Sequence, residues 1–217
     1  MSRTPVLHYE PRAALAHLRT ADRALAKVME RVGPFALELH PASSLFEALL
    51  RSIVYQQLHG RAAATIHARV LAALARQGGL KTTALARLSD EELRAAGLSR
   101  AKLAAIRDLA EKCDAGVVPT LRGAHGLPDE ELVSRLTTVR GIGPWTVHML
   151  LIFTLGRPDV MPTGDFAIRL AFQRLYRKRK EPTPETILKH ARCWAPYRSV
   201  ASWYLWRSLD LPPAPDQ

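Results

Sequence analysis

The sequence is 217 residues long, 47% hydrophobic and strongly basic, with 31 lysine and arginine residues against 20 acidic ones and a formal net charge of +11. A chain of this size can bury a core without disulfides or structural metal ions. Its two cysteines, Cys113 and Cys193, lie far apart and form no CxxC motif, so neither a disulfide framework nor a zinc site is expected. The basic excess favours a polyanionic partner such as nucleic acid, with a solvated basic surface as the alternative.

A membrane location is not expected. The longest apolar run, residues 147–155, is interrupted by His148 and Thr154 and is much shorter than the roughly 20 residues that span a bilayer. The first residues of the sequence lack the apolar segment of a signal peptide. We therefore expect a cytoplasmic protein.

Apolar residues recur at helical spacing along nearly the whole chain, whereas alternating β-branched runs are nearly absent, so the sequence predicts an all-α fold. Two predicted helix starts match the capping-box pattern, one at Ser44 with Glu47 and one at Ser89 with Glu92. The start and stop signals predict helices over residues 11–19, 22–32, 44–58, 61–76, 90–96, 100–115, 128–137, 144–155, 165–177, 184–193 and 196–209.

Residues 136–147 form a distinctive segment, Leu-Thr-Thr-Val-Arg-Gly-Ile-Gly-Pro-Trp-Thr-Val, between two predicted helices. Gly141 and Gly143 permit positive φ and leave the backbone uncovered, so amides at the start of the next helix can approach a phosphate. Pro144 suits a first helical turn. An ordinary packing turn or a nucleotide-binding loop are alternatives, although the GxGxxG continuation and the GK[ST] motif are missing, which argues against mononucleotide phosphates.

Asp165 is the second feature of interest, because it stands at the predicted start of the next helix, in the sequence Val-Met-Pro-Thr-Gly-Asp-Phe over residues 160–166. Its simplest interpretation is an N-cap. The helix dipole and free amides at that position would also keep the carboxylate ionised, ready to stabilise a nearby positive charge.

The order of a helix, a Gly-Ile-Gly hairpin, Pro-Trp-Thr, a helix and Pro-Thr-Gly-Asp resembles the helix-hairpin-helix (HhH-GPD) DNA glycosylase superfamily, in its 3-methyladenine DNA glycosylase II type. The resemblance spans most of the chain and includes residues 52–58, 97–102 and 194–199. It implies two helical lobes with a cleft between them, the helix-hairpin-helix motif lying at 128–155. The lobes would cover roughly residues 36–135 and 136–176, with the N- and C-terminal helices completing the second.

The resemblance also implies DNA contacts. The hairpin amides around Gly141 and Gly143 would grip the DNA backbone, with Arg140 and Thr146 beside them. A wedge loop that fills the gap left by a flipped base would consist of Gln56, Gln57 and Leu58. A monovalent cation, Na⁺ or K⁺, would be held at the hairpin in the DNA complex, and no other cofactor is expected. Its ligands would be the main-chain carbonyls of Thr137, Val139 and Ile142.

The reaction that the resemblance implies is hydrolysis of the N-glycosidic bond of an alkylated purine such as 3-methyladenine, which leaves an abasic site. Trp145 stands where bifunctional relatives carry a lysine nucleophile, so no Schiff base is expected. Two cysteines cannot hold the four-cysteine iron–sulfur cluster of other relatives. Asp165 would stabilise the oxocarbenium charge of the sugar or activate water. Trp145, Tyr55 and Tyr197 would stack on the cationic base, with core packing as the alternative for each.

Two further functions stay open. One is a noncatalytic helix-hairpin-helix DNA-binding protein, in which Asp165 is only a helix cap. The other is a bifunctional glycosylase/lyase that uses a different lysine. The expected partner of the enzyme is double-stranded DNA containing alkylated bases, bound by a nucleoid-associated monomer.

Overall fold

The computed structural model describes residues 7–58 and 60–212, and within these ranges it consists of α-helices and one 3-10 helix, with no β-strand. The all-α prediction is confirmed. The described residues form two compact units, one of residues 41–150 and one of residues 7–40 and 151–212. No described helix combines the length and the apolar character that a membrane crossing requires.

The first unit contains the helices α3 (Leu45–Tyr55), α4 (Gly60–Arg76), α5 (Thr82–Ala86), α6 (Asp90–Ala95), α7 (Arg100–Asp114), α8 (Leu121–His125), α9 (Asp129–Leu136) and most of α10 (Pro144–Phe153). α3 is its central helix and packs against both α4 and α7. The apolar side chains of α3 explain this position, since Leu49, Leu50 and Ile53 are fully buried.

The second unit contains α1 (Pro11–Ala21), α2 (Arg23–Val32), α11 (Phe166–Leu175), α12 (Pro184–His190), the 3-10 helix Ala191–Trp194 and α13 (Arg198–Ser208). α13 packs against α2 and α11, so residues distant in sequence share one core. Trp194, Tyr204 and Phe172 are the largest side chains buried in that core.

The division between the units lies at Leu150, inside α10, and not at residue 136 as the sequence suggests. The hairpin therefore groups with the first unit. The physical reason is that its loop is bonded to that unit, through Gln56 to Gly141 and through Asp108 to Arg140. The predicted cleft stays a prediction.

Several predicted helix boundaries differ from the observed ones. α5 and α8 are missing from the prediction because five residues are too few to show a helical period. α3 ends at Tyr55 and not at residue 58, since Gln57 adopts a φ of +54° that cannot continue a helix. The predicted helix over 184–193 is divided, with α12 ending at His190 and a 3-10 turn following it.

The two predicted capping boxes have different outcomes. At α6, Ser89 and Glu92 form the complete reciprocal pair. At α3, the Ser44 hydroxyl accepts the N–H of Glu47 at 3.1 Å, but the Glu47 carboxylate accepts from the N–H and hydroxyl of Ser43, at 2.7 and 2.6 Å. Ser44 thus caps α3 without the reciprocal bond of a capping box, because the Glu47 carboxylate accepts from Ser43 instead.

A buried carboxylate joins the helices of the second unit. Asp22, which is 8% exposed, caps α2 with Oδ1, accepting two main-chain N–H groups of its first turn at 2.9 and 3.0 Å. Its Oδ2 accepts from the Tyr176 hydroxyl, from His190 Nε2 at 2.8 Å and from Trp194 Nε1 at 3.0 Å. Burial by itself raises the pKa of Asp22, but these hydrogen bonds outweigh burial and lower the pKa.

Cys193 lies beside this carboxylate. The ligand atoms of Asp22, His190 and Cys193 all lie within 4.8 Å of one another, which is a spacing that a metal ion could use. The oxygen of Asp22 that faces them already accepts three donors, and the Cys193 thiol donates to the His190 carbonyl at 3.2 Å. The group is therefore satisfied as a hydrogen-bond network.

We expect Asp22→Asn to lower the free energy of unfolding by about 3 kcal/mol, because it removes a buried charged acceptor that three side-chain donors share. Urea denaturation at neutral pH measures this change. The control Asp210→Asn alters an exposed carboxylate that pairs with Arg207. It should change the free energy of unfolding by less than about 0.5 kcal/mol.

A comparison of wild type with Asp22→Asn also tests the pKa of Asp22. Because folding lowers this pKa, the stabilisation is complete above the ordinary value of 3.8 and is lost as the pH falls through the lower folded value. The stability difference between wild type and Asp22→Asn should therefore shrink in acid. A difference that stays constant into strongly acidic solution would contradict this account.

Candidate functional site

The hairpin loop lies between the end of α9 at Leu136 and the start of α10 at Pro144. Its turn is closed by the N–H of Ile142, which donates to the Val139 carbonyl at 3.0 Å. Gly141 has a φ of +77°, in the left-handed region that glycine tolerates best. The predicted positive φ is thus confirmed at Gly141.

Gly143 differs from this prediction. It does not have a φ in the left-handed region, and a Cβ placed on it would meet no atom within 4 Å. The backbone conformation therefore does not require glycine at this position. Pro144, the next residue, begins the regular helix α10. The open space beside Gly143 leaves room for a ligand to approach the backbone.

The residues predicted to form the wedge loop lie against the hairpin. The Gln56 side chain donates from Nε2 to the Gly141 carbonyl at 2.8 Å, so its amide is engaged within the protein. Gln57 is exposed with a φ of +54°, and Leu58 is 39% exposed. Of these three residues, Gln57 and Leu58 are the ones that project into solvent.

Helix α7 supports both loops, which the sequence does not reveal. Asp108 accepts the main-chain N–H of Arg140 at 2.6 Å and is paired with Lys112. Lys102 donates from Nζ to the carbonyls of Val54 and Gln56, at 2.7 and 2.8 Å. A charged residue within an amphipathic helix is normally read as part of a solvated face, so the pattern gives no signal for either role.

The first residues of α10 differ in exposure. Trp145 is 48% exposed, whereas Thr146 is only 7% exposed. The Thr146 side chain is therefore not presented to solvent, and its contact with DNA stays a prediction. Arg140 is exposed in the loop, and its side chain can meet a phosphate while its own N–H is held by Asp108.

In the second unit, Asp165 is the N-cap of α11, as predicted, and accepts the N–H of Ile168 at 2.9 Å. The same oxygen accepts the indole N–H of Trp206 at 3.1 Å. The carboxylate is half-buried. Two donors on one oxygen fix the direction of the group.

Trp206, which the sequence analysis does not identify, is itself held by aromatic packing. Its ring stacks on Phe153, with centroids 5.6 Å apart, and Phe153 stacks on His40 at 5.5 Å. Its bond to Asp165 could not be predicted, because the two residues lie 41 positions apart and the sequence around Trp206 is that of an ordinary core helix.

The segment that leads to Asp165 is tied to the start of α13. Arg198 forms a two-point ion pair with Asp159, with Nε and one terminal nitrogen each 2.7 Å from a carboxylate oxygen. The buried Ser199 hydroxyl accepts the N–H of Val160 at 3.0 Å. The loop that carries Asp165 is thus fixed at its beginning as well as at its helical end.

Tyr55 and Tyr197 both pack against protein side chains. Tyr55 meets the His67 ring edge to face, with centroids 5.8 Å apart, and lies under the Arg51 guanidinium at 5.0 Å. Tyr197 contacts the rings of Tyr9 and His17 at 6.2 and 5.5 Å. Both are half-buried, and their roles as walls of a base pocket stay predictions.

Residues 50–196 match the family model of the HhH-GPD superfamily base excision DNA repair proteins. The chain belongs to this superfamily. It is 39% identical over 201 residues to DNA-3-methyladenine glycosylase 1 of Schizosaccharomyces pombe, a match that covers 90% of this chain and 86% of that protein. The resemblance inferred from the hairpin and the Pro-Thr-Gly-Asp segment is confirmed.

Two solved structures of superfamily members have the same fold. The S. pombe 3-methyladenine DNA glycosylase in complex with abasic DNA is 36% identical, with a TM-score of 0.77 over 94% of this chain and 100% of that one. The DNA-3-methyladenine glycosidase of Bacillus halodurans is 33% identical, with a TM-score of 0.81 over 93% of this chain and 90% of that one.

The two hairpin glycines should respond differently to alanine. Gly141→Ala should lower the free energy of unfolding by about 1 kcal/mol, because alanine is strained at positive φ. Gly143→Ala should leave that free energy unchanged, since its Cβ meets nothing and its φ is not in the strained region. Urea denaturation of both variants measures the contrast, and equal losses would contradict the assigned backbone geometry.

Proposed function

We propose that this chain is a monofunctional DNA glycosylase that hydrolyses the N-glycosidic bond of alkylated purines such as 3-methyladenine and leaves an abasic site. The observation that carries the proposal is the Asp165 carboxylate, fixed at the N-terminus of α11 by the Ile168 amide and the Trp206 indole. The names of the superfamily members at 39% and 36% identity support the choice of substrate.

The chemistry of the substrate explains why so little acid catalysis is needed. Alkylation at a purine ring nitrogen leaves the base positively charged, so it is already a good leaving group. The chain must instead stabilise the cationic sugar, and Asp165 supplies a negative charge whose position is set before the reaction. The indole of Trp145, 48% exposed at the start of α10, offers a π surface to a cationic base.

The proposed reaction stops at the abasic site. A lyase step requires an amine that attacks the sugar carbon and forms a Schiff base. The residue two positions after Gly143 is Trp145, which has no nucleophilic amine. Water is therefore the nucleophile that completes the reaction.

We propose that the hairpin binds one DNA strand through the main-chain amides that follow Gly141. The carbonyls of Thr137, Val139 and Ile142 are neutral oxygen donors that suit Na⁺ or K⁺ rather than a transition metal. The Val139 carbonyl accepts the Ile142 N–H and keeps a second lone pair, so the turn hydrogen bond is compatible with a cation there. Such a cation would screen the adjacent phosphate.

The proposed partner is double-stranded DNA with an alkylated base, bound by a monomer in the cytoplasm in association with the nucleoid. The net charge of +11 supports this choice, since neutralising phosphates releases counterions. Binding should therefore weaken steeply as salt concentration rises.

The decisive test is the release of free 3-methyladenine from methylated duplex DNA by wild type and by Asp165→Asn. Asparagine can still cap α11 but lacks the charge, so single-turnover release should fall by at least about 100-fold. The affinity for a duplex with an abasic site should stay close to that of wild type. Full activity in this variant would refute the mechanism.

The same preparations separate the two other functions. A noncatalytic DNA-binding protein would bind the duplex without releasing base from it. A glycosylase/lyase would form a covalent adduct with damaged DNA on borohydride reduction. We expect base release and no adduct.

A further inference from the structure

One face of α7 presents three residues to the two loops described above. Lys102, Ala105 and Asp108 recur at intervals of three, which places them along one side of the helix. Lys102 contacts the end of α3, Asp108 binds the Arg140 amide at 2.6 Å, and the Cβ of Ala105 lies 3.6 Å from a Cβ built on Gly141. A single rigid helix therefore underlies both the 56–58 loop and the hairpin loop.

Gln56 joins these two loops directly. Its main-chain carbonyl accepts from Lys102 at 2.8 Å, and its side-chain amide donates to the Gly141 carbonyl at 2.8 Å. The residue is thus held at one end by α7 and holds the hairpin at its other end. Gln57 and Leu58, the next two residues, are the exposed tip of the loop.

The bonds of Lys102 meet a local need of the backbone. The last carbonyls of a helix lack partners within the helix, and those of Val54 and Gln56 lie at the end of α3. The ammonium group satisfies both and complements the negative end of the helix dipole. Burial lowers the pKa of Lys102, which indicates a group partly withdrawn from water.

We propose that Lys102 and Gln56 are positioning residues that fix the 56–58 loop relative to the hairpin before DNA binds. The inference rests on the proposed function, in which the hairpin holds a phosphate and the loop tip enters the duplex. Gln56 sets the distance between the hairpin and the loop tip. When the hairpin binds the DNA backbone, Gln57 and Leu58 are therefore placed at a fixed position in the duplex.

This assignment differs from a direct DNA contact. The Lys102 ammonium is committed to two carbonyls at 2.7 and 2.8 Å, and its side chain is half-buried. A lysine that contacts phosphate contributes about one unit to the slope of log affinity against log salt. A lysine that acts only through the loop contributes nothing to that slope.

The test uses Lys102→Met, Gln56→Met and the double variant, since methionine removes the donors while it matches the length of glutamine and is only one atom shorter than lysine. Lys81→Met is the control for loss of a positive charge, because Lys81 is exposed and its side chain makes no capping bond to α5. Lys102→Arg keeps donors at the same place. The main readout is the affinity for a duplex with a stable abasic analogue, at several salt concentrations.

We expect each single methionine variant to weaken this binding about tenfold, and the double variant to weaken it by no more than about tenfold, because both substitutions release the same loop. The salt slope should stay that of wild type in every variant. Lys81→Met and Lys102→Arg should bind within about twofold of wild type. Thermal unfolding of each variant establishes that the comparison is made between folded proteins.

Three results would overturn the inference: a double variant weakened by the product of the two single effects, a salt slope reduced by one unit in Lys102→Met, or wild-type binding in both single variants. The affinity measurement does not depend on catalysis. Failure of wild type to release 3-methyladenine would therefore count against the proposed function, while the binding data still decide the role of Lys102 and Gln56.

Discussion

The hydrogen bonds that hold the Asp165 carboxylate are the constraint on which the proposed chemistry depends. The Ile168 amide and the Trp206 indole both donate to Oδ1, at 2.9 and 3.1 Å. Neither donor needs to move for the carboxylate to face a cation. The ring stack that orients Trp206 and the Arg198–Asp159 pair that anchors the preceding loop extend this constraint into the core of the second unit.

In the first unit, hydrogen bonds likewise fix a functional element, which is the hairpin loop. The side chains of Val139 and Ile142 in its hairpin are buried, and hydrogen bonds also fix the loop, from Gln56 to the Gly141 carbonyl and from the Arg140 amide to Asp108. Both partners are tied to the rigid helix α7. These bonds link the hairpin to the unit in which it is grouped.

The sequence was sufficient to predict the features that have local signals. The helical period predicted the all-α fold, and the residues around Gly141 and Asp165 predicted a hairpin and an N-cap at the correct positions. Contacts between distant segments have no such signal. Trp206, Lys102 and Asp108 look like ordinary helix residues, and only the folded chain brings them to Asp165, Gln56 and Arg140. At Gly143 the uncovered backbone agrees with the prediction, whereas a positive φ is found only at Gly141 of the two hairpin glycines.

The central claim is that Asp165 stabilises positive charge on the sugar. Two duplexes test it most directly, one with a cationic pyrrolidine in place of the abasic sugar and one with a neutral tetrahydrofuran. Wild type should bind the cationic duplex at least about tenfold more tightly, because it resembles the charged transition state, and Asp165→Asn should lose that preference while binding the neutral duplex normally. An equal preference for the cation in wild type and Asp165→Asn would contradict the account.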